Sequence, residues 1–159
     1  MSPVRTRLGV LIVVAALVAV GATTARVVLP PRRTAHVTSP ARDASPREVV
    51  RTYLAALDAN DCATARSLVE PAMTEAARTW CEDVAGLDAP EVRAAHRERP
   101  QWSGHVAPDQ VANVGVSFGL RWRAFHGDSS MPEGRTVWGY LLVRRAPNDP
   151  WRISDQGVG

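Results

Sequence analysis

SPREVVRTYLAALDANDCATARSLVEPAMTEAARTWC, residues 45–81, decides how the rest of the chain is read. It opens with Ser45-Pro46-Arg47-Glu48, a capping box in which the serine oxygen accepts from the backbone N–H of Glu48 and the glutamate returns to the serine N–H. Pro46 suits a first helical position, because its missing N–H is one the helix would leave unpaired anyway. Val49, Val50, Tyr53, Leu54 and Leu57 then fall on one face of a helix that ends near Asn60. Asp61 can cap a second, short helix in which Cys62, Ala65, Leu68 and Val69 repeat the spacing as far as the break at Glu70-Pro71. Pro71 opens a third helix with Met73, Ala76, Ala77, Trp80 and Val84 on its apolar side.

Downstream, Asp88-Ala89-Pro90-Glu91 has the form of another capping box, and predicts a brief polar helix from Pro90 to Arg97. Trp102 and Val106 mark an early strand. From Ala112 the period changes to two: Ala112, Val114, Val116, Phe118, Leu120, Trp122 and Ala124 alternate with polar positions that include Asn113, Ser117, Arg121 and Arg123, the pattern of a long half-buried strand. A loop over Gly127–Gly134 leads to a strand over Arg135–Arg145, and the Ala146–Pro150 turn leads to a last short strand with Trp151, Ile153 and Asp155 in alternation. Helices first and an antiparallel meander after them make an α+β fold.

Upstream, Leu8–Ala25 (LGVLIVVAALVAVGATTA) is eighteen residues without a charge, close to the roughly 20 that span a bilayer core as a helix. It has no polar face, which argues against a buried helix of a soluble domain. The reading is a transmembrane or signal-anchor helix, with a cleavable signal peptide as the alternative, since small residues near Ala22 and Ala25 loosely satisfy the cleavage rule. No cysteine follows that would make a lipoprotein anchor. Arginines flank both ends, so charge does not set the orientation. The cysteines do: a pair in a small domain suits an oxidising compartment, which places residues 1–7 in the cytoplasm and the domain outside. Residues 26–44, with Pro30, Pro31 and Pro40, read as a tether whose basic residues can lie on anionic lipid. Residues 45–159 form the folded domain.

The chain carries 19 basic residues against 16 acidic ones, a formal +3. Seven arginines and a single acid, Asp43, stand in residues 1–47, so residues 48–159 are mildly acidic. That distribution argues against a phosphate-tracking nucleic-acid surface, unless the arginines cluster strongly. Cys62 and Cys81 lie on the second and third expected helices; a disulfide is expected, with two buried thiols or a metal site shared with His96 and His105 as the alternatives. His36, His96, His105 and His126 sit among polar residues and read as surface groups. Neither a nucleophile motif nor a Gly-rich phosphate loop is present, so no catalytic residue, metal or cofactor is expected. Five tryptophans, Trp80, Trp102, Trp122, Trp138 and Trp151, are many for a domain of this size. They read as core, or as the lining of an aromatic pocket.

With those residues in place, the chain resembles the nuclear-transport-factor-two-like superfamily, the cone-shaped α+β fold shared with ketosteroid isomerase. EVVRTYLAALDANDCATARSLV (residues 48–69), VGVSFGLRW (114–122) and WRISDQG (151–157) match its first helix with the following corner, its long strand and its terminal tryptophan-bearing strand. The resemblance implies helices packed on a curved antiparallel sheet, and a pocket in the mouth of the cone lined by Tyr53, Trp122 and Trp138. Tyr53 matches the tyrosine that helps form the isomerase oxyanion hole. The other two roles are unmatched: the segment that supplies the base reads TWCEDVAGLD, with Glu82 and Asp83 in a different pattern, and the second donor falls at apolar Leu141 or Leu142. The absence of lysine and the wealth of alanine and valine resemble coding in a high-GC, actinobacterial genome.

Two functions follow as expectations. One is a single-pass, membrane-anchored extracytoplasmic module that binds an envelope protein and has no catalysis. The other is a small-molecule enzyme or carrier, of isomerase or dehydratase type, that takes a hydrophobic ligand in the cone. A carboxylate at Glu82 or Asp83 pointing toward Tyr53 would favour the second.

Overall fold

The computed structural model describes residues 34–127 and 131–157. The expected cytoplasmic tail, the apolar Leu8–Ala25 segment and the first part of the tether lie outside them. Among the described residues no helix is long and apolar enough to cross a membrane.

Helix α1 (Pro46–Asp58) begins on the capping box read from the sequence. Ser45 Oγ accepts from the Glu48 N–H at 3.3 Å, and the Ser45 hydroxyl at 2.7 Å first, then the Ser45 N–H at 2.8 Å, donate to Glu48 Oε2 and hold the Glu48 carboxyl below its ordinary range. Helix α2 (Cys62–Ser67) starts at Asp61 and α3 (Thr74–Asp83) follows a 3-10 turn at Pro71–Met73. The sheet is a four-stranded antiparallel meander in the order β1 (Val84–Glu98), β2 (Gln110–Trp122), β3 (Gly134–Arg144), β4 (Arg152–Gly157). The fold is therefore α+β, helices before strands.

One face of β2 supplies Ala112, Val114, Val116, Phe118, Leu120 and Trp122 to the core, as the alternation required. Trp138, Tyr140 and Leu142 of β3 and Ile153 of β4 extend it, and Val49, Val50, Tyr53, Leu54 and Leu57 of α1 close it from the helical side. A parallel bridge between Val69 and Ile153 ties the helical layer to β4, with the Glu70 N–H donating to the Ile153 carbonyl at 2.8 Å.

Two expectations are corrected. Pro90–Arg97 is not a helix: these residues belong to β1, paired antiparallel with β2. The capping-box likeness fails because Ala89, which would be the first helical residue after an Asp88 cap, takes φ 45°, outside the right-handed helical region. Register shifts at Val84/Gly86, Asp88/Glu91 and Val92/Ala95 put Leu87, Val92 and Ala95 on uneven spacing, so the strand shows no period of two. The early strand at Trp102 and Val106 is also absent. Pro100–Ser103 is a 3-10 turn, and both apolar side chains stand exposed.

Residues 35–44, expected as tether, are docked on the domain. Asp61 is the hub. Its Oδ2 accepts from the Val37 N–H at 2.9 Å and from Thr64 Oγ1 at 2.8 Å, while its Oδ1 accepts from the Thr64 N–H at 3.1 Å. Ala35 donates to the Ala59 carbonyl at 3.1 Å, and Arg42 to the Asn148 carbonyl at 3.2 Å. The Val37 bond first, then those from Thr64 and the neighbouring His36, hold the Asp61 carboxyl at about 2. A carboxyl depressed in the folded state stabilises above its unfolded value and loses that contribution as pH falls through its folded one. Stability in acid unfolding should thus fall between about pH 4 and pH 2. Asp61→Ala should lower stability by about 1–2 kcal/mol at neutral pH, the loss of an N-cap, and flatten that acid slope. An unchanged slope would show that Asp61 does not anchor Val37.

Cys62 and Cys81 form a disulfide, with Cα atoms 5.5 Å apart. It clamps the start of α2 to the last turn of α3, and Cys81 is fully buried.

Candidate functional site

The three residues expected to line a pocket are core residues. Tyr53 is 1% exposed, and Trp122 and Trp138 are 8% each. Trp80 of α3 lies between the two strand indoles, its ring centroid 5.6 Å from Trp122 and 5.7 Å from Trp138. The Trp122 indole N–H donates to the Met131 carbonyl at 3.0 Å. Tyr53 meets Tyr140 edge to face at 5.6 Å. Burial pushes both phenols up, Tyr140 further for the presence of Tyr53, so both remain protonated and neutral. The structure brings Trp122 and Trp138 together through Trp80, and sets Tyr53 against Tyr140. None of the three lines the clefts described below.

The acids that could have served Tyr53 are engaged elsewhere. Glu82 pairs with Arg78 on α3. Asp83 Oδ2 accepts from the Gly127 N–H at 2.9 Å, and its carbonyl from the Arg123 N–H at 2.9 Å. Leu142 is fully buried.

The Tyr140 hydroxyl and the Trp138 indole N–H are buried with no hydrogen-bond partner among the described residues. A buried unsatisfied polar atom carries a desolvation penalty of about 1–3 kcal/mol, so its removal releases rather than adds strain. Tyr140→Phe should leave the thermal midpoint unchanged or raise it. A loss above about 1 kcal/mol would mean that the hydroxyl has a partner.

An opening lies outside the core, between α1 and β1, as a groove of about 690 Å³. Its floor is apolar: Leu54 and Leu87, both buried, with half-buried Val92 beside them. Its rim is basic. Arg47 and Arg51 stand one turn apart on α1, while the Arg93 side chain turns to the other face of the sheet, over Gly115. Arg47 Nε donates to the Val92 carbonyl at 3.1 Å, and neither Arg47 nor Arg51 has an ion-pair partner among the described residues. The two acids of the groove are committed to the fold. Asp58 Oδ1 accepts from the Leu87 N–H at 2.8 Å, fixing α1 to β1, and Glu91 pairs with Arg135 at 3.4 Å while accepting from Ser117 Oγ at 3.2 Å.

A second cleft of about 510 Å³ lies where residues 39–42 cross the end of α2, lined by Arg42, Val49, Leu68, Trp151 and Arg152 among others. Among the described residues no three metal-ligating side chains stand together, so His96, His105 and the cysteines do not converge.

Sequence reading missed the groove although half of its signal was present. Arg47, Arg51, Leu54, Ala55 and Asp58 follow helical spacing along one stripe of α1. The opposite wall could not be placed while residues 90–97 were taken as a helix.

No family model matches the chain, and no curated protein matches it. Among solved structures it is similar to a SEC-C motif-containing protein from Rhodopseudomonas palustris, studied in solution, at 17% identity over 75% of this chain and 82% of that one, with a TM-score of 0.48. Similarity at that level assigns neither family nor function.

Proposed function

We propose that the chain is a non-catalytic binding or assembly module of the nuclear-transport-factor-two-like cone type, held outside the cytoplasmic membrane by residues 8–25, and that the α1–β1 groove receives its partner. The observation that carries this reading is the groove itself, an apolar floor with two arginines on its rim that make no ion pair among the described residues. Charge complementarity selects the occupant: a segment of another envelope protein with apolar side chains for Leu54 and Leu87, and carboxylates for Arg47 and Arg51. The small-molecule reading loses support from the same packing that fills the core, since three indoles and two phenols occupy the space a hydrophobic ligand would need. The disulfide supports an oxidising compartment.

The test is affinity capture from detergent-solubilised membranes with the full chain and with Arg47→Glu/Arg51→Glu. The reading expects one partner, retained by the parent chain and lost by at least tenfold on charge reversal, which corresponds to about 1.4 kcal/mol. A partner held equally by both chains would remove the groove from the account.

A further inference from the structure

Several arginines of this domain are held in ion pairs: Arg42 with Asp149, Arg78 with Glu75 and Glu82, Arg121 with Asp88, Arg135 with Glu91, and Arg145 with Glu70 and Asp109. Arg97 and Arg144 are not: neither has a carboxylate at ion-pair distance among the described residues, and yet they stand together.

Their position follows from the strand register. Arg97 of β1 faces Ala112 of β2, Ala112 faces Leu142 of β3, and Leu142 faces Ile153 of β4. Ala112, Leu142 and Ile153 are core residues. Directly paired residues share a sheet face, as do residues two apart on a strand. Arg97, Gln110 and Arg144 therefore lie on the core-bearing face, at the end of the sheet where the apolar rows stop; Gln110 and Arg144 are themselves paired. Both guanidiniums lie against the buried Trp151 ring, their Cζ atoms 4.6 and 4.8 Å from its centroid.

A single neutral atom joins them. Gln110 Oε1 accepts from Arg97 Nη1 at 3.0 Å, and from Arg144 Nε and Nη2 at 3.0 and 2.8 Å. Of the five N–H donors of a guanidinium, Arg97 thus commits one to Gln110 and Arg144 two. Two positive charges share one oxygen that cannot neutralise them. Burial, and then the charge of Arg144, lower the proton affinity of Arg97.

We propose that Arg97 and Arg144, positioned by Trp151 and Gln110, form a binding site for a phosphate-class oxyanion. A phosphate brings up to two negative charges to two unpaired positive ones, and its oxygens match the fork of uncommitted donors on each arginine. The site is independent of the α1–β1 groove, which shares none of its residues. The same chemistry is offered by a soluble phosphate and by a phospholipid headgroup.

The full chain in a non-ionic detergent tests this through its thermal midpoint, measured against inorganic phosphate with chloride replaced to hold ionic strength constant. The parent chain should show a saturable rise, about 5 °C at ten times the half-saturating concentration. Arg97→Gln, at an exposed position, and Arg144→Gln should each abolish it. Gln110→Glu separates binding from packing: it keeps the shape of the side chain and supplies the missing negative charge, so it should raise the phosphate-free midpoint and abolish the response. No saturable rise in the parent chain, or a rise undiminished in Arg97→Gln and Gln110→Glu, would overturn the site. Midpoints in phosphatidylcholine nanodiscs with and without phosphatidylglycerol, free of inorganic phosphate, distinguish the sources. An Arg97-dependent rise with phosphatidylglycerol assigns the headgroup, and its absence beside a positive phosphate titration assigns a soluble phosphate.

Discussion

Trp80→Ala should lower unfolding stability by about 3–5 kcal/mol, the range for emptying a large aromatic site in a packed core. Trp80 is 4% exposed and touches two other indoles, one from β2 and one from β3. Its loss therefore removes more than its own buried area, because the edge-to-face contact with Trp122 and the contact with Trp138 each add about 0.5–1.5 kcal/mol. Denaturant unfolding monitored by circular dichroism measures the loss, and Trp80→Phe should recover part of it. A cost under about 1 kcal/mol would mean that the indoles line a space able to collapse or fill with ligand, and would return the cone pocket to consideration.

Replacing both cysteines by alanine should cost about 3 kcal/mol, the chain-entropy value for a closed loop of this length. The sequence separation is 19 residues, and the loop holds α2 with Thr64 and most of α3, while Asp61 stands immediately before Cys62, so loosening the loop should also release residues 35–37 from their hydrogen bonds. Hydrogen exchange at the Val37 amide reads this second effect. For the parent chain, alkylation after denaturation without reductant should label neither cysteine. Two reactive thiols would contradict the disulfide, and with it the argument for export.

The helical start of this domain was legible because its signals are local. Ser45 and Glu48 bond each other within one turn, Asp61 caps its own helix, and Pro46 and Pro71 stand where proline is tolerated. Strands β2 and β3 were legible because their pairing is regular: the β2–β3 register runs unbroken from Gln110 to Leu120. β1 was hidden for the opposite reason. Three register shifts scatter its apolar residues, and what makes it a strand is its ladder with β2, which no window of local sequence contains. The docking of residues 35–44 was equally non-local, since it rests on Asp61, Ala59 and Asn148.

The expected site misled in an instructive way. Trp122 and Trp138 occupy inward positions of their strands, and Tyr53 the inward face of α1. The resemblance implied pocket lining, whereas their periodicity fits core just as well, and the Trp80 ring packs against both strand indoles. What the periodicity left over, the arginines on the flank of α1 and at the end of the sheet, is where both proposals for binding now lie.

The most direct measurement is site-specific photo-crosslinking in intact cells, with a benzophenone side chain at exposed Ala55 in the α1–β1 groove or at exposed Gln101 away from it. The account predicts one discrete protein adduct from position 55 that disappears in the Arg47→Glu/Arg51→Glu background, and none from position 101. The same adduct from both positions, or from position 55 regardless of the arginines, would contradict it.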